Sequence, residues 1–510
     1  QGFMASTLSI SDQDFQSGNY HFIAGSGAGN IVNEGIIRTG QDGNIVLIAP
    51  DIENNGIIQT DGGSITLAAG QELTLTSLDD PSIRFQVQAP SNEVLNLGQV
   101  LTEGGAINLF AGTITHSGEL NANSMTMDAQ GNIILSAQAN ITLTDTSITT
   151  ANNSAGDAGS INIEADALIQ SSAISASSTT GTGGDITITT RFAGINGKLD
   201  TSGQTGGQVS VDSEHIILTS DIDASSTTGV GGSVSLTANQ SLLQTANSTI
   251  NVSSQTASGG TISSKTTETG SQYLSGTLNA NGQTGGHISL EGGSLTLAGT
   301  QITAIGESDG GTILAGGDAH GDHSTVTNNA QTMDVNGSAL LDASSTLNGD
   351  GGKVVVWADN TTTFVGTAKA TSGTQGGDGG FIEISSGDTL TYGGWVDASS
   401  PLGLAGTVLF DPKNITIDAP APVTFSSITT LQSTSDSYLS SHSDIKVLSN
   451  GNIVVVHPYD SNVANQAGAA YLYQPDGTLI STLYGTRDDD LLGSGGITLL
   501  NNGNYVVSSP

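Results

Sequence analysis

Short runs in which aliphatic and polar residues alternate recur along this chain. Examples are Asp185-Ile186-Thr187-Ile188, Gln208-Val209-Ser210-Val211, Ser233-Val234-Ser235-Leu236, His287-Ile288-Ser289-Leu290 and Lys353-Val354-Val355-Val356. Alternation with period two turns one set of side chains to a core and the other to solvent, so each run predicts a strand. Each follows a glycine. The second glycine of a doublet falls at Gly184, Gly207, Gly232, Gly260, Gly286, Gly311, Gly352 and Gly380, with single-glycine versions at Gly159 and Gly406. The successive spacings are 25, 23, 25, 28, 26, 25, 41, 28 and 26 residues. That period predicts a stacked repeat, too short and too β-rich for a helix pair and suited to one turn of a parallel β-helix.

Ahead of the glycines lies a second element in register: Ile174-Ser175-Ala176-Ser177-Ser178, Ile222-Asp223-Ala224-Ser225-Ser226, Leu278-Asn279-Ala280-Asn281-Gly282, Leu341-Asp342-Ala343-Ser344-Ser345 and Val396-Asp397-Ala398-Ser399-Ser400. Each reads as a strand running into turn-forming residues. A further stretch such as His215-Ile216-Ile217-Leu218 supplies the third strand of a rung. Upstream, the same grammar appears at Gly43, Gly63, Gly105 and Gly131, and the interval from Gly63 to Gly105 leaves room for a rung plus an excursion around Asp79-Asp80-Pro81. At about 24 residues per turn the chain from Gly43 to Gly406 makes roughly 15 rungs, stacked over ~70 Å. Val355 is placed in the inward aliphatic column, so an aspartate there is expected to split the stack.

Composition sharpens this picture. Glycine accounts for 70 of 510 residues, aromatics for 4%, and the 35% hydrophobic content is arranged in register, which a disordered chain does not require. The formal charge is −37, from 47 acidic and 10 basic residues, which argues against nucleic acid or anionic membrane as partners. There is no cysteine. A reducing compartment, a fold that needs no disulfide, or export of an unfolded chain through a narrow pore accounts for that. No apolar run of 18 residues predicts a membrane helix, and no secretory leader is read at the N-terminus.

After a Pro-punctuated stretch, Asp418-Ala419-Pro420-Ala421-Pro422, a different repeat begins. Leu448-Ser449-Asn450-Gly451-Asn452-Ile453-Val454-Val455 returns 52 residues later as Leu500-Asn501-Asn502-Gly503-Asn504-Tyr505-Val506-Val507. Between them, Gly468 to Tyr473 and Gly477 to Leu483 read as strands, with Pro475-Asp476-Gly477 as a turn. A unit of this size matches a propeller blade, and the sequence is expected to continue beyond Pro510. The expected organisation is residues 1–150 as the start of the β-helix, 151–417 as its shaft, 418–440 as a linker and 441–510 as incomplete propeller-like repeats.

Several stretches resemble the exoproteins of bacterial two-partner secretion, the filamentous-haemagglutinin-like adhesins. They are Gln1 to Leu8 with Asp14-Phe15 and Gly18-Asn19-Tyr20; Gly56-Ile57-Ile58 with Gly62 to Gly70; Asn96-Leu97-Gly98; Gly352 to Asp359; Gly376 to Ser385; and Leu409 to Ile417. The resemblance covers residues 1 to about 418. It implies a right-handed β-helix, export through an outer-membrane β-barrel transporter and a place on or outside a Gram-negative cell. The family's Asn-Pro-Asn-containing motif is not among these residues, so no transporter-contact residue is assigned.

Candidate chemistry is sparse. Asp223, Asp342 and Asp397 share one register position with Asn279 and Ser175, which is expected of turn formers rather than catalytic acids. Arg191 stands alone across the middle rungs. The 41-residue interval holds Asp318, His320, Asp322 and His323, which carry donor atoms for a divalent metal but are read as a solvated loop. His457 is read as a loop histidine. Asp488-Asp489-Asp490 lacks calcium-loop spacing, so Ca²⁺ is the one cofactor worth testing and none is assigned. The sequence therefore reads as a non-catalytic secreted adhesin or filament protein, with a stiff β-helix spacer that holds distal parts away from the cell. Its receptor or glycan is unspecified, and end-to-end self-association is open. The alternatives are a polysaccharide-active β-helix enzyme and the stalk of a contact-dependent toxin.

Overall fold

The computed structural model describes residues 2–75, 83–87 (backbone), 91–323, 325–417, 444–448, 452–474, 478–500 and 504–509. Asp79-Asp80-Pro81, the expected linker from Asp418 and the turn at Pro475-Asp476-Gly477 lie outside them. The chain is nearly all-β, a parallel β-solenoid with 51% strand and 2% helix. Two compact units are distinguished, Gln1–Gln204 and Thr205–Pro510.

In the first unit each rung contributes three strands, and each strand pairs in parallel with its counterparts in the rungs before and after. The first column runs from Phe3–Ser6 to Asp185–Thr189, the second from Ile31–Asn33 to Phe192–Ile195, and the third from Ile36–Gln41 to Leu199–Asp200. Register is kept residue for residue: Ile65, Ile107, Ile133, Ile161 and Ile186 align, as do Leu67, Leu109, Leu135, Ile163 and Ile188. All of these are buried. Each is worth about 1.5–3 kcal/mol relative to exposure, and that gain exists only when a neighbouring rung supplies the other wall.

The second column holds a feature hidden from the hydrophobic pattern. Asn33, Asn54, Asn96 and His116 point inward one above another and are buried. Asn33 Nδ2 donates to Asn54 Oδ1 at 2.7 Å, Asn54 Nδ2 to Asn96 Oδ1 at 2.8 Å, and Asn96 Nδ2 to His116 Nδ1 at 3.1 Å. His116 Nε2 faces the Ile148 carbonyl at 3.2 Å, so the ring is the Nε2–H tautomer, accepting at one nitrogen and donating at the other. Burial lowers its pKa, with the hydrogen bonds at Ile148 and Asn96 opposing.

In the second unit the first column runs from the front of Gln208–Leu218 to Thr407–Leu409 and the third from Ile222–Asp223 to Trp395–Asp397. Two strands, Gln208–Leu218 and Ser233–Gln244, pass without a break from first column to second, so His215 to Leu218 continues the preceding strand through a bulge. The glycine doublets close the remaining corner. Gly352 N donates to Ala343 O at 2.8 Å and Gly380 N to Ala370 O at 2.8 Å. A Cβ on Gly352 would sit 2.0 Å from Gly311 O, and one on Gly380 2.1 Å from Gly352 O. Successive rungs thus pack backbone on backbone, and the doublet is required for want of space. Past the solenoid, Asp444–Val447, Ile453–His457, Ala469–Tyr473 and Leu479–Tyr484 form an antiparallel meander, and Ile497–Leu499 pairs with Tyr505–Val507.

The interval from Gly63 to Gly105 holds the expected single rung plus an excursion, whose strands Glu72–Leu75 and Ile83–Val87 join Tyr20–Ile23 in an outboard antiparallel sheet at the corner between the first two columns. Leu8, Phe22, Val46, Ile48, Ala68, Leu73 and Leu75 form a second core beneath it. Three expectations are corrected. The solenoid makes about 12 turns rather than roughly 15. In the second unit Val355 faces outward, while Val354 and Val356 enter the central column. His457 ends a strand and is buried; desolvation, opposed by Asp460, lowers its pKa to about 4.

Candidate functional site

The repeated aspartates are held in turns. Asp223 Oδ1 accepts from Ser225 N at 3.2 Å, Asp342 Oδ1 from Ser344 N at 3.0 Å and Asp397 Oδ1 from Ser399 N at 3.0 Å. Asn279 makes the same bond to Asn281 N at 3.0 Å. These are Asx-turns, in which the side-chain oxygen bends the chain into the corner. Arg191 Nε pairs with Asp166 Oδ1 at 3.0 Å, one rung away. The acidic run near the end is also tied to backbone amides: Asp488 Oδ1 accepts from Asn465 N at 3.0 Å, and Asp490 Oδ2 from Thr486 N and Arg487 N, each at 2.8 Å. Those amides lower the pKa of Asp490. Among the described residues, no group of three or more His, Cys, Asp or Glu is placed to hold a metal ion.

The irregular part of the surface is the 41-residue rung. Residues 316–323 and 325–329 leave the first column after Thr312–Ala315 and lie back over the outer face as a strap. Leu314, Val326, Val355 and Trp357 form a small core under it. Gly316 (φ 86°) and Gly321 (φ 69°) adopt the left-handed region, as does His320 (φ 56°). A Cβ on Gly321 would come within 2.6 Å of the Trp357 ring, so glycine lets the strap lie against the indole.

Carboxylates pin the strap to three rungs. Glu291 Oε2 accepts from Thr327 N at 2.9 Å, Thr327 Oγ1 at 2.6 Å and Asn328 N at 3.2 Å, with Lys265 Nζ at 3.6 Å. Asp318 pairs with Lys353 and accepts from Ala319 N at 2.7 Å. Glu383 receives the His320 amide at 3.1 and 3.2 Å. Burial raises the Asp318 pKa, but hydrogen bonds from Lys353, Thr325 and Ala319 outweigh it and hold the group below its ordinary value. Burial raises Glu383, with the His320 amide and Ser385 opposing. The four residues of the metal motif therefore part company. Asp318 is buried against Lys353, His320 Nδ1 lies 3.5 Å from Asp411 Oδ2, and Asp322 and His323 face solvent.

A cleft of about 680 Å³ in the second unit lies between the solenoid flank and the terminal strands, lined in part by Glu268, Tyr273, Gln331, Asp334, Lys446 and Ile497. Ile217, Leu243 and Tyr273 occupy successive outward positions on that flank and are buried. His215 Nε2 approaches Asp444 Oδ1 at 3.6 Å. Burial raises the Asp334 pKa against a hydrogen bond from Thr363.

No family model matches the chain. No curated protein matches it. Among solved structures it is similar to the HMW1 secretion domain from Haemophilus influenzae, at 22% identity over 82% of this chain and 74% of that one, with a TM-score of 0.27.

Proposed function

We propose that the chain is a secreted bacterial surface protein whose solenoid is a stiff, non-catalytic spacer of an adhesin or filament. The observation that carries this reading is the placement of the recurring polar residues. Asp223, Asp342 and Asp397 bend corners, the glycine doublets seat one rung on the next, and the inward columns are packed with aliphatic side chains. Each of these features serves continuation of the stack. In this reading the chain leaves the cell through an outer-membrane β-barrel transporter, and the strands beyond residue 443 begin a propeller-like distal region. The test is surface labelling of a tag placed after Pro510 on intact Gram-negative cells, with and without a two-partner transporter, together with binding of those cells to host cells, glycans and other bacteria. Transporter-dependent labelling and binding support the reading; retention inside the cell counts against it.

One observation favours a second reading. Glu268 and Asp334 both line the 680 Å³ cleft, and paired carboxylates facing one cleft are what glycoside hydrolysis requires. New reducing ends or unsaturated products from acidic or neutral glycans, abolished by Asp334→Asn, would establish the enzyme and displace the spacer.

A further inference from the structure

We propose that Met125 and Met127 form an oxidation site, two sacrificial thioethers that take oxygen from hypochlorous acid while the rungs behind them stay folded. The chain has four methionines and no cysteine, so all of its oxidisable sulfur is thioether sulfur. Met125 and Met127 are 69% and 77% exposed. Met4 is partly buried against the core under the outboard sheet, and Met333 is 0% exposed.

Both exposed thioethers sit in the corner between the strands Glu119–Asn121 and Asn132–Ala137. The corners of the next two rungs are in register with it, through bridges from Ser124 to Asn153 and from Asn153 to Ser178. One residue past those bridges stand Met125, Ser154 and Thr179. Close backbone approach sets Gly156 against Met127, and Gly181 against Gly156. Methionine thus fills two positions that the neighbouring rungs give to a hydroxyl residue and a glycine. The backbone of this corner is anchored from behind. Asn153 is buried and donates from Nδ2 to Thr126 O at 3.0 Å and Ala129 O at 3.2 Å, while Ser124 Oγ accepts from Thr126 N at 3.2 Å. A Cβ on Gly156 would come within 2.7 Å of Met127 O, so the next rung presses on backbone and leaves the side chain to solvent. None of these contacts uses a sulfur.

In the reaction the sulfur gives an electron pair to the chlorine of hypochlorous acid and hydroxide departs. Water then replaces chloride on the sulfur, leaving sulfoxide, chloride and one net proton. Sulfur is oxidised by two electrons and chlorine reduced by two. At Met125 and Met127 the new S=O dipole is hydrated; at Met333 it would enter the aliphatic column unpaired.

The test is oxidation of the full chain with two equivalents of hypochlorous acid, followed by peptide mapping. Sulfoxide at Met125 and Met127 is expected to exceed that at Met333 by at least about tenfold, because Met333 reacts only when its rung opens. The double variant Met125→Leu, Met127→Leu removes both sinks, so the same dose should raise Met4 sulfoxide at least about twofold. Amide exchange across residues 132–137 and 160–164 should be unchanged in the oxidised parent. Met4 or Met333 oxidised as fully as the pair, a double variant whose Met4 is no more oxidised than the parent's, or lost protection in those strands overturns the proposal.

Discussion

The buried amide ladder makes a sharp claim about Asn54. Replacing it with leucine keeps the volume similar, so little cavity is opened, and the change isolates polar satisfaction. Two side chains are stranded, Asn33 Nδ2, 2.7 Å from Asn54 Oδ1, and Asn96 Oδ1, 2.8 Å from Asn54 Nδ2, and the longer bond from Asn54 Nδ2 to the Gln99 carbonyl, 3.3 Å, is lost with them. Each stranded buried group costs about 1–3 kcal/mol, so Asn54→Leu should destabilise these rungs by about 2–6 kcal/mol. At 1.4 kcal/mol per factor of ten, amide protection in residues 52–54 and 94–96 should fall by roughly 30-fold or more. Hydrogen exchange read by mass spectrometry is the assay, because a stacked repeat opens by rungs and a global midpoint blurs the site. The control is the triple change Asn33→Leu, Asn54→Leu and Asn96→Leu. It removes donors and acceptors within the ladder together, leaving the His116 end and the Gly35 amide, which donates to Asn33 Oδ1 at 3.2 Å, to find other partners, and should recover much of the loss. A single variant with wild-type protection, or a triple variant worse than the single, would refute the reasoning.

Other consequences follow from neighbouring features. Val354→Asp should unfold the rungs on either side, whereas Val355→Asp should loosen only residues 316–323 and 325–329; limited proteolysis with mapped cleavage sites distinguishes them. Gly352→Ala places a methyl 2.0 Å from Gly311 O and should cost about 1–3 kcal/mol, seen as raised exchange at residues 311–313 and 352–356. His116 is held neutral by burial, so its contribution is complete above its ordinary value of 6.5 and is lost as pH falls below it. Protection around residues 94–116 should drop by at most tenfold per pH unit there, and His116→Asn should remove that dependence.

The period, the strands and the turn aspartates were legible because each repeats a local pattern: glycine, alternation, then Asp or Asn ahead of a corner. The outboard elements obey a different rule. Ile45 to Ala49 and Val354 to Trp357 are continuous apolar runs, and in a strand that signals burial on both faces. With three valines in a row the run itself does not show which ones turn inward, and Val355 was placed on the wrong side. The amide ladder left a fainter trace. Asn33, Asn54, Asn96 and His116 each stand two residues before a glycine, and only alignment of those corners reveals that an inward position is polar. The cleft near Asp334 joins residues more than 100 positions apart, and no periodicity reports such a meeting.

The amides from Asn33 to His116 all hand their hydrogens the same way, so this stretch works as a one-way relay with a fixed terminus at the Ile148 carbonyl. Rungs lined by leucine and isoleucine tolerate duplication or loss, since any aliphatic neighbour will do. A rung spliced into the relay must both give and receive at that one inward position, and a reversed amide would set two donors or two acceptors face to face. Changes in the number of rungs are therefore expected elsewhere in the solenoid, while these four count as a block inherited whole.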